Sequence, residues 1–433
     1  MNLEIINEQE ATEPGNYFVA NYPPFSVWKP EYVPAAFAAL DRPATEAAPL
    51  GLYLHIPFCR KRCKFCYYRV YTDKNGEQVE TYLEALTREI ALYARRPGLA
   101  GRSFEFVYFG GGTPSYLSST QLRRLVEGIG RHWSWERARE VTFECEPGTL
   151  QKGKLEAIRR IGVTRLSLGI EHFDDGVLTI NGRAHKSREI FRAYAWAREV
   201  GFPQINLDLI AGLVGDSDEK WEETVEQCLR LDPDSVTIYQ MELPHNTVFA
   251  REGAAIVAWQ KKAQWVDEAF RRFEEAGYQV SSAYTLVKPS GNGHFVYRDS
   301  LWHGADMIGT GVASFSHLAG VHFQNADTWE GYVEPLRRGE LALARALPIN
   351  DRQRLVRELV LQMKLGRLDA GYFRTKFAEE IMDTFAEAFR SLLDEGLATI
   401  DGDEIRLTRA GLLRADALLP RFFEPQYRNI RYA

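Results

Sequence analysis

From about Leu50 to about Ala326 the chain alternates short apolar runs with longer amphipathic stretches. The short runs are LYLHI, FEFVYFG, VTFECEP, RLSLGI, QINLDLI, SVTIYQ and YQVSSAY. They are rich in β-branched and aromatic residues and predict buried strands. Between them, VETYLEALTREIALYARR, STQLRRLVEGIGR and REIFRAYAWAREV read as helices. Repeated strand–helix units predict a parallel sheet, and their number predicts an incomplete (partial) TIM-like α/β barrel. From about Ile349 the pattern turns mostly helical, with DRQRLVRELVLQMKL and FAEEIMDTFAEAFRSLLDEG. LATI, a DGD turn, EIRLT and a last helix RAGLLRADALL follow. A helix and then a hairpin with Asp-Gly at its turn predicts a small winged-helix-like module. The expected division is residues 1–49 as a polar, Pro-containing arm with one short helix, PAAFAALDR; residues 50–348 as the partial barrel; and residues 349–433 as the helical, winged-helix-like domain.

The 433 residues are 45% hydrophobic and 26% charged, enough for a large core and more than one domain. A net charge of −6 gives no basis for nucleic acid or an anionic membrane as partner. It also argues against nucleic-acid binding by the winged-helix-like module, since no basic stripe is present. The opening residues MNLEIINEQEATEPGN are acidic without an apolar core, unlike a signal peptide. No apolar run reaches spanning length. The expected location is the reducing cytoplasm, and the expected state a monomer.

Cys59, Cys63 and Cys66 fall within eight residues, in YLHIPFCRKRCKFCYY. Thiolates are the usual ligands of iron–sulfur clusters, and three of them leave one iron of a cubane open to other chemistry. A zinc site would want a fourth ligand; His55 precedes the first cysteine by four residues and makes that a second reading. A disulfide would leave one thiol over. Cys145 and Cys228 lie far along the chain. The preceding run reads as a strand that Pro57 ends. The basic residues Arg60, Lys61, Arg62 and Lys64 are expected to lower the thiol pKa values. A cluster loop just after the first strand sits where an α/β barrel puts its active site.

Gly110, Gly111 and Gly112 with Thr113 follow the strand FEFVYF, and such a run lets a ligand lie against bare backbone; its plain alternative is a tight β–α turn. No GK[ST] follows, so it is not a phosphate loop. Glu144, Glu171 and Asp208 sit among strand apolars and Arg183 in the loop INGRAH. Buried charges of this kind need partners, supplied by a ligand or by an internal ion-pair network. A second glycine group, Gly309 and Gly311 around Thr310, suits another close ligand approach. His294, His303, His317 and His322 are irregularly spaced, which favours packing or substrate contact over a metal site.

The cysteine spacing with an aromatic before the last thiol resembles the radical S-adenosylmethionine (SAM) superfamily. The series YLHIPFC, YFGGGTPS, FECEPGTL, RLSLGIEHF and NLDLIAGL resembles its oxygen-independent coproporphyrinogen III oxidase-like branch over nearly the full length. The resemblance implies that Cys59, Cys63 and Cys66 hold a 4Fe–4S cluster whose open iron chelates SAM. One-electron reduction then gives methionine and a 5′-deoxyadenosyl radical that abstracts hydrogen from substrate. It implies that Gly111, Gly112, Thr113, Glu144, Arg183 and Asp208 contact this SAM, with Arg183 at its carboxylate. Glu171 replaces the Gln of the pattern. Tyr53 and Phe65 join the aromatics around the cofactor, and Gly309 and Gly311 belong to a second SAM site. The arm at 1–49 is expected to cover the active site. A tetrapyrrole or other conjugated small molecule is the expected substrate, and flavodoxin or ferredoxin the expected electron donor. Because Cys66-Tyr67-Tyr68 lacks the further cysteine usual in the oxidases, the leading expectation is radical alkylation with two SAM molecules, as in class C methyltransferases. Oxidative decarboxylation of coproporphyrinogen III and heme binding as a chaperone are the alternatives.

Overall fold

The computed structural model describes residues 18–44, 48–244, 246–289, 293–428 and 430. The acidic stretch MNLEIINEQEATEPGN lies outside them. Six predicted strands form as read: β1 (Leu50–Ile56), β2 (Phe104–Gly111), β3 (Glu140–Cys145), β4 (Arg165–Glu171), β5 (Gln204–Ala211) and β6 (Ser235–Gln240). The predicted strand YQVSSAY does not. It yields only β7 (Gln279–Val280), which pairs with β8 (Thr285–Val287) as an antiparallel edge against β6. The parallel sheet is extended on its other side by β9 (Asp306–Thr310), which runs parallel to β1. Three antiparallel strands continue it: β10 (Phe315–Leu318), β11 (Val321–Asn325) and β12 (Leu343–Pro348). The order is β12-β11-β10-β9-β1-β2-β3-β4-β5-β6-β8-β7, an open sheet with seven parallel strands from β9 to β6.

Helices cover one face of this sheet. Helix Gly76–Tyr93 opens on a capping box between Asn75 and Gln78, and helix Ser119–Gly130 on one between Ser118 and Gln121. Their apolar faces meet Leu52, Leu54, Val107, Phe109 and Phe143 of the strands in the main core. The other face is polar. Asn206 donates to Ser167 Oγ at 3.0 Å and accepts from Ser235 and Thr237 at 2.8 and 3.1 Å. Helix Val296–Trp302 plugs the sheet's concave side. Glu140 accepts the Val296 and Tyr297 amides at 2.8 and 3.2 Å, and the Arg165 guanidinium lies 4.0 Å from the Phe295 ring centre.

The C-terminal region builds a three-stranded antiparallel sheet, β13 (Arg367–Asp369), β15 (Glu404–Leu407) and β14 (Ala398–Asp401), in the order β13-β15-β14. Its helices are shorter than the apolar pattern predicts. FAEEIMDTFAEAFRSLLDEG breaks into the end of Ala370–Phe377, then Ile381–Thr384 and Ala386–Asp394. The first break has a physical cause: Ala378 adopts a left-handed conformation, φ 53°, that ends its helix. RAGLLRADALL likewise divides at Leu413 and Arg414. The second core combines residues between Leu355 and Phe423 with Val19, Tyr22 and Trp302. Among the described residues no helix is long and apolar enough to cross a membrane.

One carboxyl group joins helix Gly76–Tyr93 to the β9–β11 region. Glu89 is 0% exposed and accepts from the Gly311 amide at 2.8 Å, the Tyr332 hydroxyl at 2.6 Å and Asn325 at 2.5 Å. Burial outweighs these bonds and raises it to about 7. A carboxyl whose folded-state pKa exceeds its unfolded value stabilises fully below the unfolded pKa, and that contribution is lost as pH rises through the folded one. Thermal unfolding of the wild type should therefore show stability falling between about pH 4.3 and pH 7. Glu89→Gln should reduce that slope by up to about 1.4 kcal/mol per pH unit. An unchanged slope in the variant would refute the assignment.

Candidate active site

The thiol loop begins where β1 ends. Its neck is closed by two backbone bonds, Tyr71 N–H to the Pro57 carbonyl at 2.7 Å and Cys59 N–H to the Tyr71 carbonyl at 3.0 Å. Lys64 N–H donates to the Asn181 carbonyl at 3.1 Å, and Phe249 N–H to the Lys64 carbonyl at 3.1 Å, so loops after β4 and β6 hold its outer side. Cys59, Cys63 and Cys66 all face one cavity of about 1270 Å³ at the C-terminal ends of the parallel strands. All are free thiols.

The same cavity receives Phe65, Gly111, Gly112, Thr113, Glu144, Glu171, Arg183 and Asp208. Residues scattered over 144 positions of sequence are thus brought together from the ends of β1 to β5. Thr113 Oγ1 lies 3.3 Å from Cys59 Sγ. Gly112 N–H donates to the Ile56 carbonyl at 2.9 Å, and a Cβ there would stand 3.1 Å from Cys59 Sγ. Gly111, at φ 113°, passes under the His55 ring, which a Cβ would meet at 2.7 Å. Glu144 accepts from the Tyr108 hydroxyl at 2.7 Å and the Gly111 amide at 3.2 Å. Asp208 accepts from Ser167 and Asn206 at 2.8 and 2.9 Å. Arg183 donates to Cys63 Sγ at 3.2 Å and to the Gly169 carbonyl, and pairs with Glu171 at 3.4 Å. Glu171 itself stands at φ 63°, at an irregularity in β4 that turns its carboxylate toward the guanidinium. Arg183 Nε is buried with no partner among the described residues.

Burial dominates the electrostatics. It raises Glu144 and Glu171 to about 7 each and pushes Asp208 up. It also pushes the Cys59 and Cys66 thiols up to about 11 and 12, opposite to the lowering expected from the basic loop. The loop's cations are engaged elsewhere: Arg60 pairs with Glu146 at 3.0 Å, Lys64 with Glu252 at 3.1 Å, and Arg62 donates to the Cys66 carbonyl at 3.2 Å. Glu146 is the exception among the acids. Burial works against its charge, but His185, Arg183 and Arg60 hold it down to about 2. A metal bound at the sulfur would favour the Cys59 and Cys66 thiolates against this burial. Among the described residues no three metal-ligating side chains converge as one ion requires. His55, the possible fourth zinc ligand, packs over Gly111 instead. Three thiols spread along one wall, with a guanidinium at one sulfur, fit a multi-iron cluster.

Two groups of predicted site residues lie elsewhere. Tyr53 is beneath the cavity, stacked on Tyr108 at 5.7 Å. Gly309 and Gly311 do not line the cavity. A Cβ on Gly309 would meet the Phe315 carbonyl at 2.1 Å, and one on Gly311 the Tyr82 hydroxyl at 2.5 Å and the His55 carbonyl at 2.8 Å. The close approach predicted there is to the chain's own backbone rather than to a ligand. Two of the histidines of this stretch are packed, His317 and His322, which lie 3.0 Å apart with His322 stacked on Trp28, whereas His294 and His303 are exposed. The pattern also missed the second wall. Phe18, Tyr239, Glu242, Lys262 and Tyr284 line the cavity, and none belongs to a recognisable motif.

A thiol loop above strand ends on an open α/β barrel defines the class, and the chain matches the radical SAM superfamily over residues 53–228. Those residues form a radical SAM domain, and the fold is the partial barrel of that superfamily. Oxygen-independent coproporphyrinogen III oxidase of Escherichia coli is 28% identical over 384 residues, 84% of this chain and 83% of that one. Heme chaperone HemW of Bacillus subtilis is 27% identical over 385 residues, 86% and 98% of the two chains. The solved structure of coproporphyrinogen III oxidase (HemN) from Escherichia coli, a radical SAM enzyme, matches with a TM-score of 0.82 at 25% identity, covering 94% and 96%. Within the superfamily the chain is similar to the HemN-like proteins. These relatives give the alkylation reading no support; they include both oxidases and heme chaperones.

Because Gly311, at φ 102°, is held by Glu89, Tyr82 and His55, Gly311→Val should act on folding. A loss of about 1–3 kcal/mol is expected in chemical denaturation. A variant as stable as wild type would return this glycine to a ligand-binding role.

Proposed function

We propose that the protein catalyses oxygen-independent oxidative decarboxylation of a tetrapyrrole propionate, of the coproporphyrinogen III type. The observation that supports it is the convergence of three thiols, Arg183 and three carboxylates on a cavity of about 1270 Å³, large enough for cofactor and macrocycle together. When bound, a 4Fe–4S cluster with SAM supplies a carbon radical able to take hydrogen from an unactivated carbon. A propionate side chain that loses one hydrogen atom and carbon dioxide becomes a vinyl group and releases one electron to an acceptor.

The chain's own residues have three tasks in this reading. Cys59, Cys63 and Cys66 hold the cluster. Arg183, placed between Cys63 and Glu171, offers its free Nε–H to a carboxylate of SAM. Glu144, Glu171 and Asp208 take the SAM ammonium or ribose hydroxyls. Glu144 and Asp208 are oriented by Tyr108, Gly111, Ser167 and Asn206, so each has one fixed geometry. Phe65 packs at the cofactor, and Tyr67 and Tyr68, 45% and 50% exposed and stacked on each other at 4.5 Å, present ring faces to substrate. The division into arm, barrel and C-terminal domain at residues 49 and 348 is kept as part of this proposal.

Anaerobic reconstitution of a Cys59→Ala, Cys63→Ala, Cys66→Ala variant should give no cluster absorption, with Cys145 and Cys228 left in place. Full cluster content in that variant would refute the ligand set. Arg183→Ala should keep its iron while 5′-deoxyadenosine formation falls at least a hundredfold; loss of the cluster instead would make Arg183 structural. The reaction is decided by anaerobic turnover of coproporphyrinogen III with SAM labelled at its methyl group. Carbon dioxide release with no label in the tetrapyrrole is expected. Labelled product, or tight heme binding without turnover, would replace this reading.

A further inference from the structure

The second wall of the cavity contains a buried cation that the site described above does not use. Lys262 is 5% exposed and lines the cavity beside the end of β6, five strands along the sheet from β1. Its ammonium donates to the Met241 carbonyl at 2.6 Å, which takes one of its three protons. No carboxylate among the described residues forms an ion pair with it. Burial of an ammonium without a counter-ion is costly, and Lys is almost never buried unless paired.

The surroundings add to that cost. Lys262 lies in the first turn of helix Trp259–Glu275, where the positive end of the helix disfavours a cation. That turn has no acidic residue, and its N-cap, Ala258, has no capping side chain. Ala258 and Trp259 both face the cavity. The carboxyl that acts on Lys262 through space is Glu242, which forms no ion pair with it, accepts from the Phe18 amide at 3.1 Å and is pushed up by burial and Asp416 against the pull of Lys262 and Lys364. The stem of Lys262 is fixed: Gly212, at φ 84°, leaves the room it occupies, and a Cβ there would meet Cδ at 2.6 Å. Beside it Tyr239 and Tyr284 stack at 6.1 Å and supply a flat apolar wall.

We propose that Lys262, with the uncapped first turn of its helix, seats a carboxylate of the substrate. The proposal rests on the tetrapyrrole reading above and names the group by which a polycarboxylate macrocycle would be oriented across the cavity. The ammonium, the helix terminus and the aromatic wall together match an acid side chain projecting from a flat ring.

The test needs neither cluster nor SAM. Coproporphyrin III and its tetramethyl ester, both stable porphyrins, are titrated against the full-length protein by fluorescence. Wild type should bind the acid at least tenfold more tightly than the ester. Lys262→Met should bind both within about twofold of each other. Ala258→Asp keeps the ammonium and provides a favourable N-cap. It should weaken the acid at least fivefold and leave the ester unchanged, so misfolding of the first variant cannot decide the result. If both variants keep the wild-type preference, Lys262 is no carboxylate seat while the tetrapyrrole reading stands. If wild type binds neither porphyrin, the tetrapyrrole reading fails and the seat falls with it.

Discussion

The catalytic end of the barrel depends on one ionised carboxylate. Glu146, just past β3, bonds Arg60 of the thiol loop at 3.0 Å, His185 Nδ1 at 2.9 Å and the Gly148 amide at 3.0 Å. Arg60 also reaches the Ala184 carbonyl at 3.2 Å, and His185 Nε2 lies 3.2 Å from the Ile170 carbonyl. The loop after β1 is thereby fastened to the loop after β4, and Arg183 is two residues from His185. Leaving the buried Glu146 or His185 without its partner costs about 1–3 kcal/mol. Glu146 is held down to about 2, so its carboxylate stays ionised near neutral pH. The thiols and Arg183 stay in register through it, while the neighbouring acids sit at about 7 and change charge near neutrality.

That contrast separates two kinds of carboxylate in one cavity. Glu146 has three positively charged or hydrogen-bonding neighbours and is spent on structure. Glu144 and Asp208 have neutral donors, Tyr108, Ser167 and Asn206, that orient the oxygens without cancelling the cost of their charge. Acids held in this way favour a ligand that brings positive charge, as the sulfonium and ammonium of SAM do. The polar face beneath them is closed by helix Val296–Trp302, with Tyr297 on Tyr108 at 4.3 Å and Phe295 over Arg165.

How much of this was legible follows from where the sequence signal is local. β1 to β6 show because each is an apolar run bounded by turn residues, and the thiol loop because its spacing is contiguous. β9 was missed: DMIGT is short and glycine-containing, and its pairing with β1 is a contact across more than 250 residues. YQVSSAY reads as a strand by composition, but the Ser281 and Ser282 amides bond the Thr285 carbonyl and leave a two-residue strand before the turn and a three-residue strand after it. Gly309 and Gly311 show the limit most clearly. A glycine run reports that something approaches the backbone closely. What approaches, the thiol loop at Gly112 or Phe315 and Tyr82 at the second group, is a tertiary fact. Lys262 was invisible for the converse reason, since a lysine in the first turn of an amphipathic helix ordinarily faces water.

The far side of the cavity is assembled from three distant parts of the chain, and a second cation holds them. Lys364, 0% exposed, donates to the Val19 carbonyl at 2.7 Å, pairs with Asp416 at 3.3 Å and lies 3.2 Å from the Phe18 ring centre. Asp416 also accepts the Val19 amide at 2.8 Å and the Tyr284 hydroxyl. Here the lysine is fully partnered, and its carboxylate and aromatic neighbours come from the arm, the sheet edge and the C-terminal region. Radical chemistry needs a site closed to water and side reactions. Phe18 and Tyr284 line the cavity and lie 3.2 and 5.0 Å, by ring centre, from the Lys364 ammonium. Paired Lys364 therefore seals the wall that Lys262, lacking a carboxylate partner, leaves open to an acid.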